Sequence, residues 1–153
     1  MIWRHTFLIT ALALAGCSHT LREGELLAPY AAVMKPVPEG ESRIYLLAAI
    51  PGTLVFEDDC VLLRRMDGML VLPVFEAGTT AGADSTGAWL HDPVSGETFR
   101  HRARINGGGG SAGETVSQLE RRNVLQQRVP TRCREAMQAD AVVILNPGLE
   151  PAG

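Results

Sequence analysis

The stretch from Cys60 to Phe75, Cys-Val-Leu-Leu-Arg-Arg-Met-Asp-Gly-Met-Leu-Val-Leu-Pro-Val-Phe, limits the possible folds of this chain more than any other. Two Val- and Leu-rich runs flank an Asp-Gly pair, and that pair tolerates the positive φ angles of a two-residue hairpin turn. With Asp67 and Gly68 as the loop, Leu63 faces Leu72 and Val61 faces Val74 on one side of the hairpin. Leu62, Pro73, Cys60 and Phe75 share the other. Both faces are apolar, so the hairpin needs cover on both sides, and Pro73, which has no N–H to donate, fits an edge or a bulge.

Short apolar runs separated by turn residues continue along the chain. Residues 43–49 are expected to form a strand closed by Pro51-Gly52. A second hairpin is expected over 87–92 and 97–105 around Pro93-Val94-Ser95-Gly96, with Leu90 opposite Phe99 and Trp89 opposite Arg100. The glycines at 107–110 read as a turn, Ser111 and Glu114 as the capping box of a helix ending near Arg122, and 139–145 as a last strand. Pro130 and Cys133 fall in an expected loop. The fold class that follows is mainly β: a small sandwich or partly open barrel of about six short strands with one short helix. The β-domain spans 43–146, and 147–153 is a tail.

Ahead of that domain stand a short basic start, Met1-Ile2-Trp3-Arg4-His5, and an apolar run over 6–15 that is too short to span a bilayer. The run closes in Leu14-Ala15-Gly16-Cys17, which resembles the lipobox of bacterial lipoproteins. That resemblance implies a signal peptide over 1–16, cleavage before Cys17, and diacylglycerol with further acyl chains on that residue. At about 0.8 kcal/mol per buried methylene, two or more chains hold a protein on a membrane durably. Ser18 stands where an aspartate commonly retains lipoproteins in the inner membrane, so the resemblance implies a lipid-anchored protein of the cell envelope, on the outer membrane facing the periplasm if the source is Gram-negative. Residues 17–42 carry Gly24, Pro29, Pro36, Pro38 and Gly40, and read as lipid anchor and flexible tether.

Without the leader, thirteen cations face seventeen acids, a net charge of −4. That balance argues against nucleic acid as a partner, because binding phosphates along a duplex needs a basic field. Cys60 and Cys133 remain after Cys17. In an oxidising envelope compartment a leftover pair usually forms a disulfide, and two free buried thiols are the alternative.

The succession Cys60…Leu72-Pro73-Val74-Phe75, Gly78-Thr79, Gly107 to Gly110 and Val129-Pro130…Cys133 resembles small β-domains of bacterial lipoproteins and other exported proteins, with Phe75 standing where a tryptophan is expected. The resemblance implies a compact β-fold and supplies no activity.

Several motifs invite chemistry. Gly108-x-Gly110-x-x-Gly113 matches the dinucleotide fingerprint in form, but no acid ends a following strand to hold a ribose, and a permissive glycine turn is the simpler reading; no cofactor is expected. His91 and His101 fall on opposite faces of the second hairpin, and Glu57-Asp58-Asp59 lacks calcium-loop spacing, so no metal site is expected. Neither Gly-x-Ser-x-Gly nor His-Glu-x-x-His occurs. Arg100, Arg102 and Arg104 alternate along one expected strand face beside the glycine turn. They form a possible anion-binding stripe, against the plainer reading of a solvated face with Trp89 stacked on Arg100. The function these features imply is a non-enzymatic binding or structural module of the cell envelope, held to its membrane through Cys17, with an envelope protein, lipid or polysaccharide as partner. A small envelope hydrolase with a dispersed site is the alternative.

Overall fold

The computed structural model describes residues 27–111, 113–138 and 140–153. The leader, Cys17 and residues 18–26 of the expected tether lie outside the described residues. Ten strands and two short helices follow in chain order: β1 (Ala32–Val33), β2 (Ala48–Glu57), β3 (Cys60–Arg64), β4 (Leu70–Phe75), β5 (Thr80–Asp84), β6 (Gly87–His91), β7 (Thr98–Arg100), β8 (Arg104–Gly110), α1 (Val116–Arg121), α2 (Thr131–Ala136), β9 (Val142–Leu145) and β10 (Glu150–Pro151).

The fold is mainly β, as expected, and its centre is a closed five-stranded barrel. β2 pairs antiparallel with β3 and with β8, β3 with β4, and β8 with β9; a parallel β4–β9 pair completes the circuit. Five-stranded Greek-key barrels of the OB type use a comparable arrangement, and such an architecture hosts many unrelated functions. β5, β6 and β7 form a separate small sheet.

Alternation along the barrel strands sorts the apolar residues into two cores. Leu54, Val61, Leu63, Val71, Phe75, Ile105, Val143 and Leu145 fill the lumen, together with Leu90 and Phe99 of the small sheet and Leu149. The outer face of β3, β4 and β9 presents Cys60, Leu62, Leu72, Val74 and Val142 to a second core. Val116 and Leu119 of α1, Cys133 of α2, and Tyr30, Ala32 and Met34 cover it.

The central hairpin therefore has cover on both sides, but its register differs from the expected one. Arg65 donates its N–H to Met69 O at 2.9 Å, Gly68 donates to Arg65 O at 2.9 Å, and Gly68 takes φ +84°. The loop is thus three residues, a turn followed by a left-handed glycine. Leu63 consequently faces Val71 instead of Leu72. One residue of slip exchanges the faces, so Leu72 and Val74 look outward while Val71 and Phe75 enter the lumen. The two-residue turn with positive φ at both positions lies elsewhere, at Asp58 (φ +50°) and Asp59 (φ +54°) between β2 and β3.

The glycines at 107–110 are not a turn but the body of β8. Low strand propensity disguises them in the sequence; close packing is why they are there. A Cβ on Gly107 would stand 2.8 Å from Leu149 Cδ2, and one on Gly109 would collide with the Ile144 carbonyl oxygen. β2 starts later than expected and runs through Pro51. The proline is accommodated because β3 pairs with β2 only from Thr53 onward, leaving β8 as its sole neighbour at that level.

Both expected ends of the domain move outward. Tyr30, Ala32, Val33 and Met34, assigned to the tether, are buried, and β1 pairs parallel with β4 because these apolar residues find the outer face of the barrel uncovered. In the expected tail, Leu149 is buried and β10 pairs with β8. The α1 capping box is Thr115 with Gln118, four residues beyond the expected one, and α2 occupies the expected loop after Pro130, whose φ of −59° suits a helix start.

Cys60 and Cys133 are disulfide-bonded, with Cα atoms 5.6 Å apart across a sequence separation of 73 residues. The bond ties the first residue of β3 to α2. Closing a loop of this length removes unfolded-chain entropy worth about 4 kcal/mol in the chain-entropy treatment. A Cys60→Ala/Cys133→Ala variant is expected to lose about 3–4 kcal/mol of unfolding free energy in a urea titration; a loss below about 1 kcal/mol would contradict this role.

Candidate functional site

Two strand registers create a row of cations on the outside of the barrel. Thr53 of β2 lies opposite Arg64 of β3 on one side and opposite Arg104 of β8 on the other. Neighbouring strands stand about 4.8 Å apart, so the two arginines flank a short threonine side chain with about 10 Å between their backbones. Leu54, Leu63 and Ile105 point into the lumen, and alternation turns Thr53, Arg64 and Arg104 outward.

The β7–β8 connection adds two more groups. Arg102 donates its N–H to Leu54 O at 2.8 Å, and Leu54 donates to Ala103 O at 2.8 Å, so the turn is fastened to β2. Arg102 takes φ +67° in that turn, a conformation costing a non-glycine residue about 1–2 kcal/mol. Phe56 donates its N–H to His101 Nδ1 at 3.1 Å. With Nδ1 accepting, a neutral imidazole carries its proton on Nε2 and has that donor free to turn outward.

Thr53, Val55, Glu57, Arg64, His101, Arg102 and Arg104 line one open cavity of about 590 Å³. Three guanidiniums meet a single carboxylate there. None of the ion pairs among the described residues engages Arg64, Arg102 or Arg104. Arg104 donates to the Gly153 main-chain oxygen at 2.9 Å, and Arg64 reaches the Gly68 oxygen at 3.4 Å. Guanidiniums present paired N–H donors in a planar fork, a geometry matched to phosphate and carboxylate oxygens.

The expected stripe of Arg100, Arg102 and Arg104 is thus only partly realised. Arg102 ends the run in a left-handed turn, so the three do not alternate on one strand, and Arg104 belongs to a different sheet. Arg100 does lie opposite Trp89, as expected. Its guanidinium, however, grips Asp84 through two hydrogen bonds of 2.9 Å and donates also to Gly87 O. That guanidinium, with the Thr86 hydroxyl and N–H, holds the Asp84 carboxyl well below the usual range. Arg100 is therefore committed within the small sheet.

Arg64, His101 and Glu57 escape a reading of the sequence, because only the pairing of β2 with both neighbours brings them to Arg102 and Arg104. The one available signal is that Arg64 is the first charge after the apolar run of β3. His91 lies apart from His101, with its Nδ1 3.2 Å from Thr98 Oγ1 on the small sheet. Among the described residues no group of three His, Cys, Asp or Glu side chains is placed to hold a metal ion.

Asp92 is the one charged residue buried among those described, at 2% exposure. Its Oδ1 accepts N–H groups of Val94 and Ser95, at 2.8 and 3.4 Å, and its Oδ2 those of Gly148 and Leu149, at 2.9 and 2.7 Å. All four donors are backbone groups, so this carboxylate is a clasp between the β6–β7 turn and the segment following β9.

Arg102 allows structure and binding to be separated. Replacing it by glycine relieves the left-handed backbone but adds freedom to the unfolded chain worth about 0.5–1 kcal/mol. Arg102→Gly is therefore expected to leave stability within about 1 kcal/mol of wild type, as read from the urea midpoint at unchanged slope. A larger loss would mean that the side chain holds the turn together instead of being available to a ligand.

No family model, curated protein or solved structure matches the chain, so the geometry of this cavity is the ground for a functional reading.

Proposed function

We propose that this protein is a lipid-anchored module of the cell envelope that binds, without chemical transformation, a partner bearing phosphate or carboxylate groups. The observation that carries the reading is the convergence of Arg64, Arg102 and Arg104 with His101 on one open cavity containing one acid, Glu57. On a chain with net charge −4 after the leader is removed, such a concentration of cations is a local field opposed to the global one. It attracts a compact anionic group while the rest of the surface repels an extended polyanion such as a nucleic acid. Phosphorylated or carboxylated envelope polysaccharide and anionic lipid headgroups share the required chemistry. The address comes from the leader and the Leu14-Ala15-Gly16-Cys17 motif, with the outer membrane facing the periplasm as the proposed location in a Gram-negative cell.

Metabolic labelling with a fatty-acid analogue is expected to mark the wild-type protein and to leave a Cys17→Ala variant unmarked; equal labelling of both would remove the anchor from this reading.

Binding is measured on the acylated full chain in neutral detergent, with a phosphorylated oligosaccharide in one arm and a short-chain anionic phospholipid in the other. Affinity for at least one is expected to fall about tenfold or more in Arg64→Ala/Arg102→Ala/Arg104→Ala, since each charge-assisted hydrogen bond contributes about 1.5–3 kcal/mol. It is also expected to weaken as salt shortens the screening length to about 8 Å at physiological strength. Binding that is indifferent to both the variant and the salt, or absent in both arms, would retire the cavity as the site.

A further inference from the structure

At the opposite end of β2 from the arginine cavity, residues 36–47 cross the barrel as a strap without regular secondary structure. It is fastened at two points. Arg43 lies across its base, donating to Glu76 Oε1 at 2.6 Å and to Lys35 O at 2.9 Å. Further along, Asn146 Nδ2 donates to Leu46 O at 2.7 Å, and the Leu46 side chain packs over Gly110, where a Cβ would displace it. Between and just beyond these fastenings Ile44 and Leu47 project with 90% and 93% exposure, and Tyr45 with 45%. Ile44, Tyr45 and Leu47 thus gather exposed apolar surface within four residues of an anchored backbone, and a contiguous patch of this kind marks a surface that meets a membrane or a protein.

We infer that the strap seats Ile44, Tyr45 and Leu47 in the acyl–headgroup boundary of the bilayer to which Cys17 is anchored. This rests on the lipid anchor proposed above. The covalent chain favours a bilayer over other occupants. Leu27, the first described residue, lies ten residues after Cys17, and a chain of that length reaches at most about 35 Å. A domain of this size has a radius of gyration near 14 Å, roughly 36 Å across as a sphere, so the tether reaches the membrane with the side of the domain nearest Leu27 turned toward it. The base of the strap, where Arg43 bonds Lys35 O, is eight residues along the chain from Leu27. The side chains match as well: aliphatic groups enter the hydrocarbon, while tyrosine places its ring at headgroup level with its hydroxyl in water.

The test uses the acylated full chain in phosphatidylcholine vesicles whose acyl chains carry bromine, a short-range quencher of tryptophan. Leu47→Trp is compared with Val94→Trp, an exposed position of the small sheet, each read against wild type. The expected result is quenching at least threefold greater at position 47 than at 94. Equal or absent quenching at the two positions, in protein whose mass confirms acylation, overturns the strap inference and leaves the anchor standing. Protein without acyl mass on Cys17 overturns both. A dimer that is lost in Leu47→Asp, with position 47 unquenched by lipid, assigns the patch to a second copy and likewise overturns the bilayer.

Discussion

Closure of the barrel depends on a strand whose last four residues are all glycine. β8 must pair with β2 on one edge and β9 on the other, and it does so where the chain packs so tightly that Gly107 faces Leu149 and Gly109 faces the Ile144 carbonyl. Larger residues would push β9 outward and open the circuit. The leucines at 145 and 149 occupy the space that side chains on β8 would otherwise take, so glycine here exchanges the entropy cost of a flexible residue for continuous hydrogen bonding. The same pairing sets Arg104 opposite Thr53 and thereby builds half of the cationic row.

Two further ties fix the elements around this circuit. The disulfide holds α2 to the first residue of β3, which keeps the outer core covered. Asp92 gathers four backbone donors from two separate segments, so one side chain joins the small sheet to the chain leaving the barrel. Charge-assisted hydrogen bonds are stronger than neutral ones, and losing this carboxylate would strand buried donors on both segments. The turn bearing His101 and Arg102 follows the small sheet directly, and thus inherits its position from that clasp as well as from Leu54.

The mainly β fold and the register of the second hairpin were legible in the sequence for local reasons, since residues 93–96 make a short connection and Leu90 and Phe99 are apolar at matching positions. The Cys60–Cys133 bond, between residues 73 apart, was legible only from the even count of cysteines left after Cys17. The first hairpin misled by a single residue, because Asp-Gly serves two-residue and three-residue loops alike and both faces are apolar, which removes the pattern that would choose between them. The glycine strand and Tyr30 to Met34 misled for a deeper reason: their roles are set by the surface that meets them, and that surface is assembled from distant parts of the chain. The cationic cavity was half legible for the same cause. Arg102 and Arg104 are neighbours in sequence, Arg64 becomes one only across β2, and Asp84, which withdraws Arg100, is sixteen residues away from it.

The length of β2 has a consequence of its own. The strap delivers the chain to Ala48, and the cavity is lined by Thr53, Val55 and Glu57 on the same strand. At about 3.3 Å per residue, five to nine steps separate the two by roughly 17–30 Å, two to four screening lengths in physiological salt. A bilayer resting against the strap would thus have its surface charge largely extinguished before reaching the arginines. With β2 along the bilayer normal, the headgroups under the strap would not reach the cavity, so of the two sources of anion the soluble polysaccharide would meet the arginines and a lipid would do so only as a molecule that has left that surface.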